Sequence, residues 1–475
     1  MNTTASTSTP QRPRVVIAGV GFAGLYAARV LQDKPVDVLL VDQNSYHTFQ
    51  PLLYQVATSL LEPEETARTI RGIFKGRNNI DFRQATITGV DWERKRVLVR
   101  SGHSIPFDYL IVGTGTIYND FGTPGVRENS LFLKSLSEAV NIRSHILRQF
   151  ERAAADPSII EDGALNFVIV GGGPTGVEMA GSMTELFKRV LPKDFPNLDV
   201  TRARVILLEM AGHLLGPYSP RLRDYTARVL RKHGVEVRLE TAVSEVTPTG
   251  VVVGDGEFIP TGTVIWSAGV RAHPMVEALD TELTRGGRIA VERNLSLPGR
   301  PFAFAAGDVA AVVGGDEGPH PQLAQVAIQQ GKHAANEILR ELRGRQSQPF
   351  RYRDPGSMSI ISSNAGVAEL SPRFGGLKLS GFLGWLGWLF IHLIYLPGHV
   401  NRVSALFNWA YSYVTSDRHA RLIAPLVPSP AEVANRTERL VDDEELHEHR
   451  EAVFEEVVTQ GTPAAAAAAR EKQRA

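Results

Sequence analysis

Short apolar runs alternate with stretches of helical spacing over most of the first 340 residues. The first run, RVVIA at 14–18, is β-branched and followed by a glycine cluster, as expected of a strand buried in a parallel sheet. The next stretch, FAGLYAARVLQ at 22–32, has helical spacing, and a second apolar run at 36–41 ends on Asp42. The pattern predicts a strand, a glycine turn, a helix and a second strand in succession.

The same pattern returns later in the chain. An apolar run at 166–170 (NFVIV) leads into a second glycine cluster and the helical stretch VEMAGSMTELFKRVL, and a strand at 205–208 ends on Glu209. Further strands and one long helix are predicted at 107–116, 263–270, 300–310 and 321–339. The predicted fold class is α/β, with two Rossmann-like dinucleotide-binding domains and a C-terminal amphipathic, membrane-associating helical segment.

Within that C-terminal segment, residues 380–398 form a stretch of 19 uncharged residues, SGFLGWLGWLFIHLIYLPG. Trp385 and Trp388 lie three apart, a spacing that favours a helix lying at a membrane surface. Since about 20 residues cross a bilayer, a transmembrane span is the second interpretation and a buried core helix the third. His392 and His399 are expected to pack or to lie at the interface. The basic residues expected to meet anionic lipid are Arg373, Lys378, Arg402, Arg418 and Arg421.

The amino-acid composition excludes several partners and reaction types. The 475 residues carry 51 basic and 51 acidic side chains, so no overall charge favours nucleic acid, and no nucleic-acid partner is predicted. The chain has no cysteine, which excludes disulfides, Cys-ligated metals and redox-active thiols, and no metal site is predicted. The polar N-terminus lacks the apolar segment of a secretory signal, so a cytoplasmic protein is expected.

Each predicted unit carries a G-x-G-x-x-G turn. Its glycines are Gly19, Gly21 and Gly24 in the first copy and Gly171, Gly173 and Gly176 in the second. The first glycine allows the tight turn, the second lets the backbone approach a pyrophosphate, and the third lets the helix pack closely on the strand. Asp42 and Glu209, which end the second strands, are placed to bind ribose hydroxyls. Two bound dinucleotides are therefore predicted, the alternative being glycine turns in empty α/β domains.

The carboxylate of Glu209 bears on the choice between NADH and NADPH. It would repel the additional phosphate of NADPH, and the residues that follow it, Met-Ala-Gly, provide no cation. NADH is therefore favoured, unless a cation such as Arg271 reaches the site from another loop.

The order of these motifs resembles that of the two-dinucleotide flavoprotein reductases. Within that large group, three segments closely resemble the type II NADH:quinone oxidoreductases, single-subunit respiratory enzymes that do not pump protons. The segments are YHTFQPLLYQVAT at 46–58, GGGPTGVEMAG at 171–181 and AQVAIQQG at 324–331, and the last matches that family's A-Q-x-A-x-Q-x-G quinone-site pattern. The resemblance covers about residues 14–423.

The resemblance implies FAD as cofactor, NADH as substrate and a membrane quinone as electron acceptor. It also implies a homodimer, held peripherally by residues 371–425 on anionic lipid at the cytoplasmic face of the inner (plasma) membrane. The residues it assigns to FAD are Gly19, Gly21, Phe22, Ala23, Gly24, Asp42, Gln50, Pro51, Thr114, Gly115, Gly307, Asp308, Ala324 and Gln325. Those it assigns to NADH are Gly171, Gly173, Pro174, Thr175, Gly176, Glu178, Glu209, Ala268 and Gly269.

Two of these acids allow a second interpretation. Asp308 precedes a predicted helix and would serve as its N-cap as well as a FAD ligand. Glu178, which the resemblance places at the nicotinamide as a catalytic residue, would also suit the first turn of a helix. Ser363 stands where members of the family often have a basic residue.

Gln325 and Gln329 are the predicted quinone-contacting catalytic residues. They are i and i+4 on one face of a helix expected to begin near Pro321, and they would offer amides to a flat carbonyl-bearing ring. The small residues Ala327 and Gly331 would let that ring approach. The alternative is a surface helix with solvated glutamines.

The predicted organisation is a disordered tail at 1–13, a FAD-binding domain from 14–125 and 286–370, an NADH-binding domain at 126–285, a membrane-associating segment at 371–430 and an acidic, alanine-rich tail at 431–475. The predicted function is respiratory NADH:quinone oxidation–reduction without proton pumping. Two other functions fit the sequence: a soluble FAD-dependent NAD(P)H reductase with a protein acceptor, and a non-catalytic FAD-binding membrane protein.

Overall fold

The computed structural model describes residues 12–254, 256–313 and 319–424. The predicted tail at 431–475, and all but the last two residues of the tail at 1–13, lie outside the described residues.

The described residues contain twelve α-helices. They are α1 Phe22–Leu31, α2 Leu53–Ala57, α3 Pro63–Thr66, α4 Ile70–Ile73, α5 Val126–Asn129, α6 Leu136–Ala155, α7 Pro174–Glu185, α8 Leu191–Asp194, α9 Pro220–His233, α10 Ala324–Glu341, α11 Phe382–Tyr395 and α12 His399–Thr415. A π-helical turn, Leu186–Val190, joins α7 to α8.

The strands of the described residues form two larger sheets, parallel except for the β21–β22 pair, and several small ones. They are β1 Arg14–Ala18, β2 Asp37–Asp42, β3 Tyr46–Thr48, β4 Ala67–Thr69, β5 Ile80–Gln84, β6 Ile87–Asp91, β7 Arg96–Val99, β8 Ser104–Pro106, β9 Tyr109–Val112, β10 Thr116–Tyr118, β11 Leu131–Phe132, β12 Asn166–Val170, β13 Arg204–Leu208, β14 Val235–Arg238, β15 Val243–Thr247, β16 Gly250–Val253, β17 Glu257–Pro260, β18 Thr263–Trp266, β19 Val270–Ala272, β20 Ile289–Val291, β21 Ser296–Leu297, β22 Arg300–Ala305, β23 Ala310–Val312, β24 Gly356–Ser362, β25 Ala365–Leu370 and β26 Lys378–Gly381.

The first large sheet has the order β21-β22-β9-β1-β2-β5. Its central strand β1 is parallel to both neighbours, with Val15 opposite Val38 of β2 and Tyr109 of β9. Four of the five residues of β1 are buried, which explains why its sequence is a continuous apolar run without alternation. Helices α1 and α10 pack against each other beside this sheet.

The second large sheet has the order β11-β18-β12-β13-β14, and every pairing in it is parallel. Its central strand β12 is fully buried, with Phe167 opposite Val205 of β13 and Thr263 of β18. The two parallel sheets confirm the predicted α/β class with Rossmann-like units.

A three-stranded antiparallel sheet, β24-β25-β26, connects the nucleotide-binding part to the last two helices. Helix α7 packs on β24, and α11 packs on β25 so closely that a Cβ on Gly384 would lie 2.5 Å from the Gly366 carbonyl oxygen. Gly384, in the sequence FLGW, therefore allows the helix to approach the sheet.

Helix α11 has 14 residues, about 21 Å at 1.5 Å per residue, and a turn at 396–398 separates it from α12. A bilayer core is about 30 Å thick. Among the described residues no helix combines the length and the apolar character needed to cross a membrane. Trp388 and Trp409, one from each helix, lie in the same apolar core as the inner residues of α2, α6 and α7.

Candidate functional site

The two glycine turns lie at equivalent places in the two parallel sheets. Gly19 follows β1 and Gly171 follows β12, and both adopt positive φ angles, of 93° and 111°, that favour glycine. A Cβ on Gly24 would overlap the Gly19 carbonyl oxygen, and one on Gly176 would overlap that of Gly171. The third glycine of each turn therefore lets the helix start against the strand.

The middle glycines serve a different purpose. Gly21 and Gly173 are the N-caps of α1 and α7, and a Cβ on either would meet no atom within 4 Å. No side chain caps either helix, so each turn presents free backbone N–H groups and a helix N-terminus to open space. This arrangement suits a pyrophosphate.

The two acids are fixed beside their turns. Asp42 accepts a hydrogen bond from the Val20 N–H at 2.7 Å, and burial raises the pKa of its carboxyl. Glu209 accepts from the N–H groups of Gly172 at 2.5 Å and Ala211 at 2.7 Å. Each carboxylate thus occupies the place at the end of the second strand where a ribose would meet it.

The other predicted FAD residues gather at one edge of the first sheet. Thr114 and Gly115 follow β9, and Gly307 and Asp308 follow β22. Because β1, β9 and β22 are parallel, their carboxyl ends lie together at the edge where α1 begins.

Two buried polar atoms at this edge lack a partner among the described residues, Thr114 Oγ1 and Gln330 Nε2. Buried polar groups are normally hydrogen-bonded, so two orphans beside an open glycine turn fit a polar cofactor such as FAD. Asp308 accepts from Thr116 Oγ1 at 3.3 Å. It does not cap a helix, because α10 begins only at Ala324, so the N-cap interpretation is wrong.

Gln50 and Pro51 lie in a short 3-10 turn, Gln50–Leu52, near the same edge. The Gln50 amide donates to the Lys134 carbonyl oxygen at 3.4 Å. Burial lowers the pKa of the Lys134 ammonium, while the charge of Asp308 acts in the opposite direction. Sequence reasoning missed Lys134, because nothing local to the segment FLKSL indicates that it lies near Gln50 and Asp308, from two other parts of the chain.

Helix α10 differs from the prediction in two respects, its first residue and the engagement of Gln329. It begins at Ala324 and not near Pro321, since 321–323 precede the helix as turn and extended chain. The Gln329 side chain is engaged on both sides by the Arg353 backbone, donating at 2.9 Å and accepting at 3.0 Å. Gln325 is half-buried one turn earlier.

The small residues of α10 serve helix packing. A Cβ on Gly331 would overlap the Ala23 carbonyl oxygen of α1, and Ala327 packs with Ala23 in a small apolar cluster. The expectation that these residues leave room for a ring is therefore wrong for Gly331 and Ala327. Gln330 was missed: its Oε1 accepts from the Gly307 N–H at 2.7 Å and fixes the turn after β22.

The predicted NADH residues meet at the carboxyl edge of the second sheet. Pro174 and Thr175 open α7, Glu209 follows β13, and Ala268 and Gly269 follow β18. Ser267 Oγ donates to the Val170 carbonyl oxygen at 2.8 Å and so ties the end of β18 to the glycine turn. Arg271 lies in β19, paired with Ile117 of β10.

Glu178 lies in the second turn of α7, not the first, and is 8% exposed. Its carboxylate accepts hydrogen bonds from Ser359 Oγ and the Ile360 N–H, both at 3.2 Å. Burial raises the pKa of Glu178 to about 8. The interpretation as a first-turn acid is wrong, because Glu178 lies in the second turn of α7 and both of its hydrogen-bond donors come from β24.

A cavity of about 60 Å³ lies along this face of α7. Glu178, Ser182 and Glu185 line one side of it, and Ser363 and Arg418 line another. Arg418 is 3% exposed and donates to Glu185 at 3.2 Å and to the Ser182 carbonyl oxygen at 3.1 Å. A buried positive charge therefore lies in the cavity wall that Ser363 shares, although Ser363 itself is uncharged.

Most of the basic residues expected to meet lipid form ion pairs or hydrogen bonds with other groups of the protein. Arg418 is buried, Arg421 pairs with Asp194, Lys378 pairs with Glu369, and Arg402 donates to carbonyl oxygens at the end of α11. The expectation is wrong for Arg418 because its guanidinium is enclosed. His392 stacks on Trp388, with ring centroids 3.8 Å apart, whereas His399 is exposed.

The surfaces of α11 and α12 that face away from the rest of the protein are apolar. The exposed residues are Phe382, Leu383, Leu386, Phe390, Ile394, Val400, Val403, Leu406, Phe407, Tyr411 and Val414. The inner face of α12 buries Asn401, Ala405 and Trp409, and Asn401 Nδ2 donates to carbonyl oxygens of Glu64, Glu65 and Ala67. Helix α12 therefore has apolar residues on its outer side as well as in the core, unlike a surface helix of a soluble protein.

Comparison with known proteins first defines the class. Residues 13–331 match the model of the pyridine nucleotide-disulphide oxidoreductase family, and the chain belongs to that class. Within it, the chain is 38% identical to the type II NADH:quinone oxidoreductase Ndh of Mycobacterium tuberculosis, over 86% of this chain and 90% of that protein. The chain is a member of the type II NADH:quinone oxidoreductase family, which confirms the resemblance carried by its motifs.

A second relative and a solved structure extend the comparison. The type II NADH:quinone oxidoreductase of Staphylococcus aureus (strain MW2) is 29% identical, covering 78% of this chain and 93% of its own length. The fold is shared with NDH2 from Plasmodium falciparum in complex with NADH, at a TM-score of 0.79 and 18% identity, covering 87% of this chain and 100% of that one. The disulphide chemistry in the class name is not available here, since the chain has no cysteine.

Proposed function

We propose that this enzyme oxidises NADH and passes the electrons, through bound FAD, to a membrane quinone without pumping protons. The observation that carries the proposal is the pair of open glycine turns, each with a fixed acid beside it, in a chain without cysteine. When bound beside the first glycine turn, FAD would supply the redox chemistry between NADH and the quinone. The protein contributes positioning, with no covalent intermediate on a side chain.

The first turn and its surroundings hold FAD in this proposal. Gly21 and the start of α1 bind the pyrophosphate, Asp42 binds the ribose, and Thr114 Oγ1 and Gln330 Nε2 donate to the cofactor. The FAD-binding part comprises 14–125 and 286–370, and the NADH-binding part 126–285. The return of β22 to the first sheet, after the whole of the second, supports this division.

NADH binds at the second turn, with its pyrophosphate at Gly173 and its ribose at Glu209. NADPH is disfavoured by the Glu209 carboxylate, and Arg271 lies in a strand paired with the other half of the molecule. Glu178 is assigned to the nicotinamide end of this site. Quinone is assigned to the start of α10, where Gln325 is the better candidate because Gln329 is already bonded to the Arg353 backbone.

The membrane-associating segment at 371–430 is assigned to the surface of the inner (plasma) membrane, on the cytoplasmic side. The outward apolar faces of α11 and α12 support this assignment, since they would enter the lipid interface. Electrostatic attraction to anionic lipid contributes less than the sequence suggests, because most of the nearby cations are paired within the protein. Homodimerisation is proposed on the family resemblance.

Spectroscopy of the purified protein tests the proposal. The protein is expected to carry FAD, to bleach on anaerobic addition of NADH and to recover its colour on addition of a soluble quinone. NADPH is expected to bleach it much more slowly. Failure to bleach with NADH would support the non-catalytic FAD-binding alternative, and recovery only with a protein acceptor would support the soluble reductase.

A further inference from the structure

Helix α9, which follows β13 in the NADH-binding part, carries a basic stripe formed by Arg221, Arg228 and Lys232. All three side chains are exposed, and with Tyr225 they follow the i, i+4, i+7, i+11 spacing of one helix face. No described residue forms an ion pair or a hydrogen bond with any of these three cations. Asp224, the only acid of the helix, lies beside the stripe and is also exposed. The stripe therefore presents three unpaired positive charges to the surroundings.

The basic stripe begins beside the first of the two C-terminal helices. Helix α9 contacts all three strands of the sheet β24-β25-β26, which leads into α11. At the start of α9, the Ser219 N–H donates to the Glu369 carboxylate of β25 at 2.8 Å. Further along α9, the Tyr225 hydroxyl lies 3.5 Å from the place that a Cβ on Gly381 would occupy. Because Gly381 is the N-cap of α11, the stripe adjoins the point where the outward apolar face of α11 begins.

The other end of α9 lies near the end of α12. His233 Nε2 is 3.3 Å from Ser362 Oγ, at the end of β24. Two residues later in the chain, Asn364 Oδ1 accepts a hydrogen bond from the Tyr413 hydroxyl of α12 at 3.1 Å. Val414, which follows Tyr413, is 81% exposed. The basic stripe is thus continuous with the apolar outer surface of α11 and α12 at both of its ends.

We infer that the basic stripe of α9 is a second membrane contact, which binds the phosphate headgroups of anionic lipids while α11 and α12 enter the interface. The inference rests on the proposed attachment of residues 371–430 to the membrane. Most cations of that segment are paired within the protein, whereas those of the stripe are free to meet lipid.

The contact has a consequence for the whole enzyme. Cations next to an anionic bilayer are attracted over about a Debye length, roughly 8 Å at physiological salt. Helix α9 packs on α7 and β14 of the second sheet. The stripe therefore orients the NADH-binding part against the bilayer, in addition to the anchoring that the apolar helices provide.

The test removes two charges from the stripe and compares them with two charges removed elsewhere. The stripe variant combines Arg221→Gln and Arg228→Gln. The control combines Arg231→Gln and Arg83→Gln, which are also exposed. Arg231 lies off the stripe on the same helix and donates to the Val237 carbonyl oxygen of β14 at 3.4 Å, and Arg83 lies in β5 of the first sheet. Unfolding midpoints, and NADH oxidation with a soluble quinone in the absence of vesicles, should be the same in both variants and the wild type.

The readout is sedimentation with vesicles of equal parts phosphatidylcholine and phosphatidylglycerol, and with vesicles of phosphatidylcholine alone. At low salt we expect the stripe variant to bind the anionic vesicles about 25-fold more weakly, since each cation near the surface contributes a factor of about five. The control should bind like the wild type. High concentrations of KCl should abolish the difference, and all three proteins should bind equally to phosphatidylcholine through their apolar helices.

Equal binding of the stripe variant and the control to anionic vesicles would overturn the inference. So would a stripe variant that loses binding to short duplex DNA but keeps its binding to vesicles, because the stripe would then be a nucleic-acid site. If the double variant does not fold, Lys232→Gln replaces it, with an expected loss of about fivefold. Wild-type protein that binds neither kind of vesicle would contradict the proposed membrane attachment itself, whereas wild-type binding that the variants do not change contradicts the inference alone.

Discussion

The glycines of each turn have different structural roles. Gly24 and Gly176 have no room for a Cβ because the carbonyl oxygen of the first glycine fills that space. Gly21 and Gly173 have open space and φ angles of −69° and −72°, which any residue adopts. The third glycine is required by the fold, and the middle one only by whatever approaches the turn.

This difference predicts opposite outcomes for two alanine substitutions. Gly176→Ala forces a Cβ onto the Gly171 carbonyl oxygen and is expected to lower the free energy of unfolding by about 2 kcal/mol or more. Gly173→Ala is expected to leave unfolding unchanged and to raise the KM for NADH several-fold. Thermal unfolding and steady-state kinetics distinguish them, and equal effects on stability would contradict the assigned roles.

At the scale of secondary-structure elements, the two faces of α12 explain how the C-terminal segment can pack on the protein and still expose apolar residues. Helix α12 turns Asn401, Ser404 and Asn408 inward, where the last two bond to the buried Glu65 carboxylate. It turns other, apolar residues outward. It is attached to the protein by these polar contacts together with the buried Ala405 and Trp409, so the outer apolar residues remain available to a membrane.

Two substitutions on α12 should therefore separate attachment to the protein from attachment to lipid. Asn401→Ala leaves three backbone carbonyl oxygens without their donor and is expected to destabilise the fold by about 2 kcal/mol. Val403→Ser, on the outer face, is expected to weaken sedimentation with anionic vesicles while leaving the unfolding midpoint in place. Reversed effects would contradict the orientation of the helix at the membrane.

At the scale of the whole molecule, Arg418 joins three distant parts of the chain. Its guanidinium donates to the Thr58 carbonyl oxygen at 2.7 Å, to Ser182 in α7 and to Glu185, from a position after α12. Both members of the ion pair are buried. Helices α2, α7 and α12 are thereby held around the cavity beside Glu178.

Removing one charge of this pair is expected to lower the free energy of unfolding far more than removing both. Arg418→Met leaves the Glu185 carboxylate buried and unpaired and should lower the free energy of unfolding by about 3 kcal/mol or more. Arg418→Met with Glu185→Leu should recover much of that loss. Chemical denaturation measures both variants, and equal losses would show that the pairing itself contributes little. Arg421→Met, at a more exposed pair, is the control.

The parallel strands and both nucleotide turns could be predicted from the sequence because their signals are local. A continuous apolar run marks β1 and β12, and the glycine spacing marks the turns at their ends. The functions of Gln329 and Gly331 could not be read in this way. Their partners, Arg353 and Ala23, come from other parts of the chain, and the helical pattern of α10 is the same whether a residue faces a ligand or another helix.

The sequence by itself determined the family, the two dinucleotide turns and their acids, and the exclusion of thiol chemistry, because each depends on residue type and short-range spacing. Only the tertiary structure decided which donors bond to Glu178, where the charge of Arg418 lies, and which apolar residues of α12 face outward. These depend on residues far apart in the chain, such as Glu178 and Ser359, and no local sequence pattern shows which of them come into contact in the folded protein.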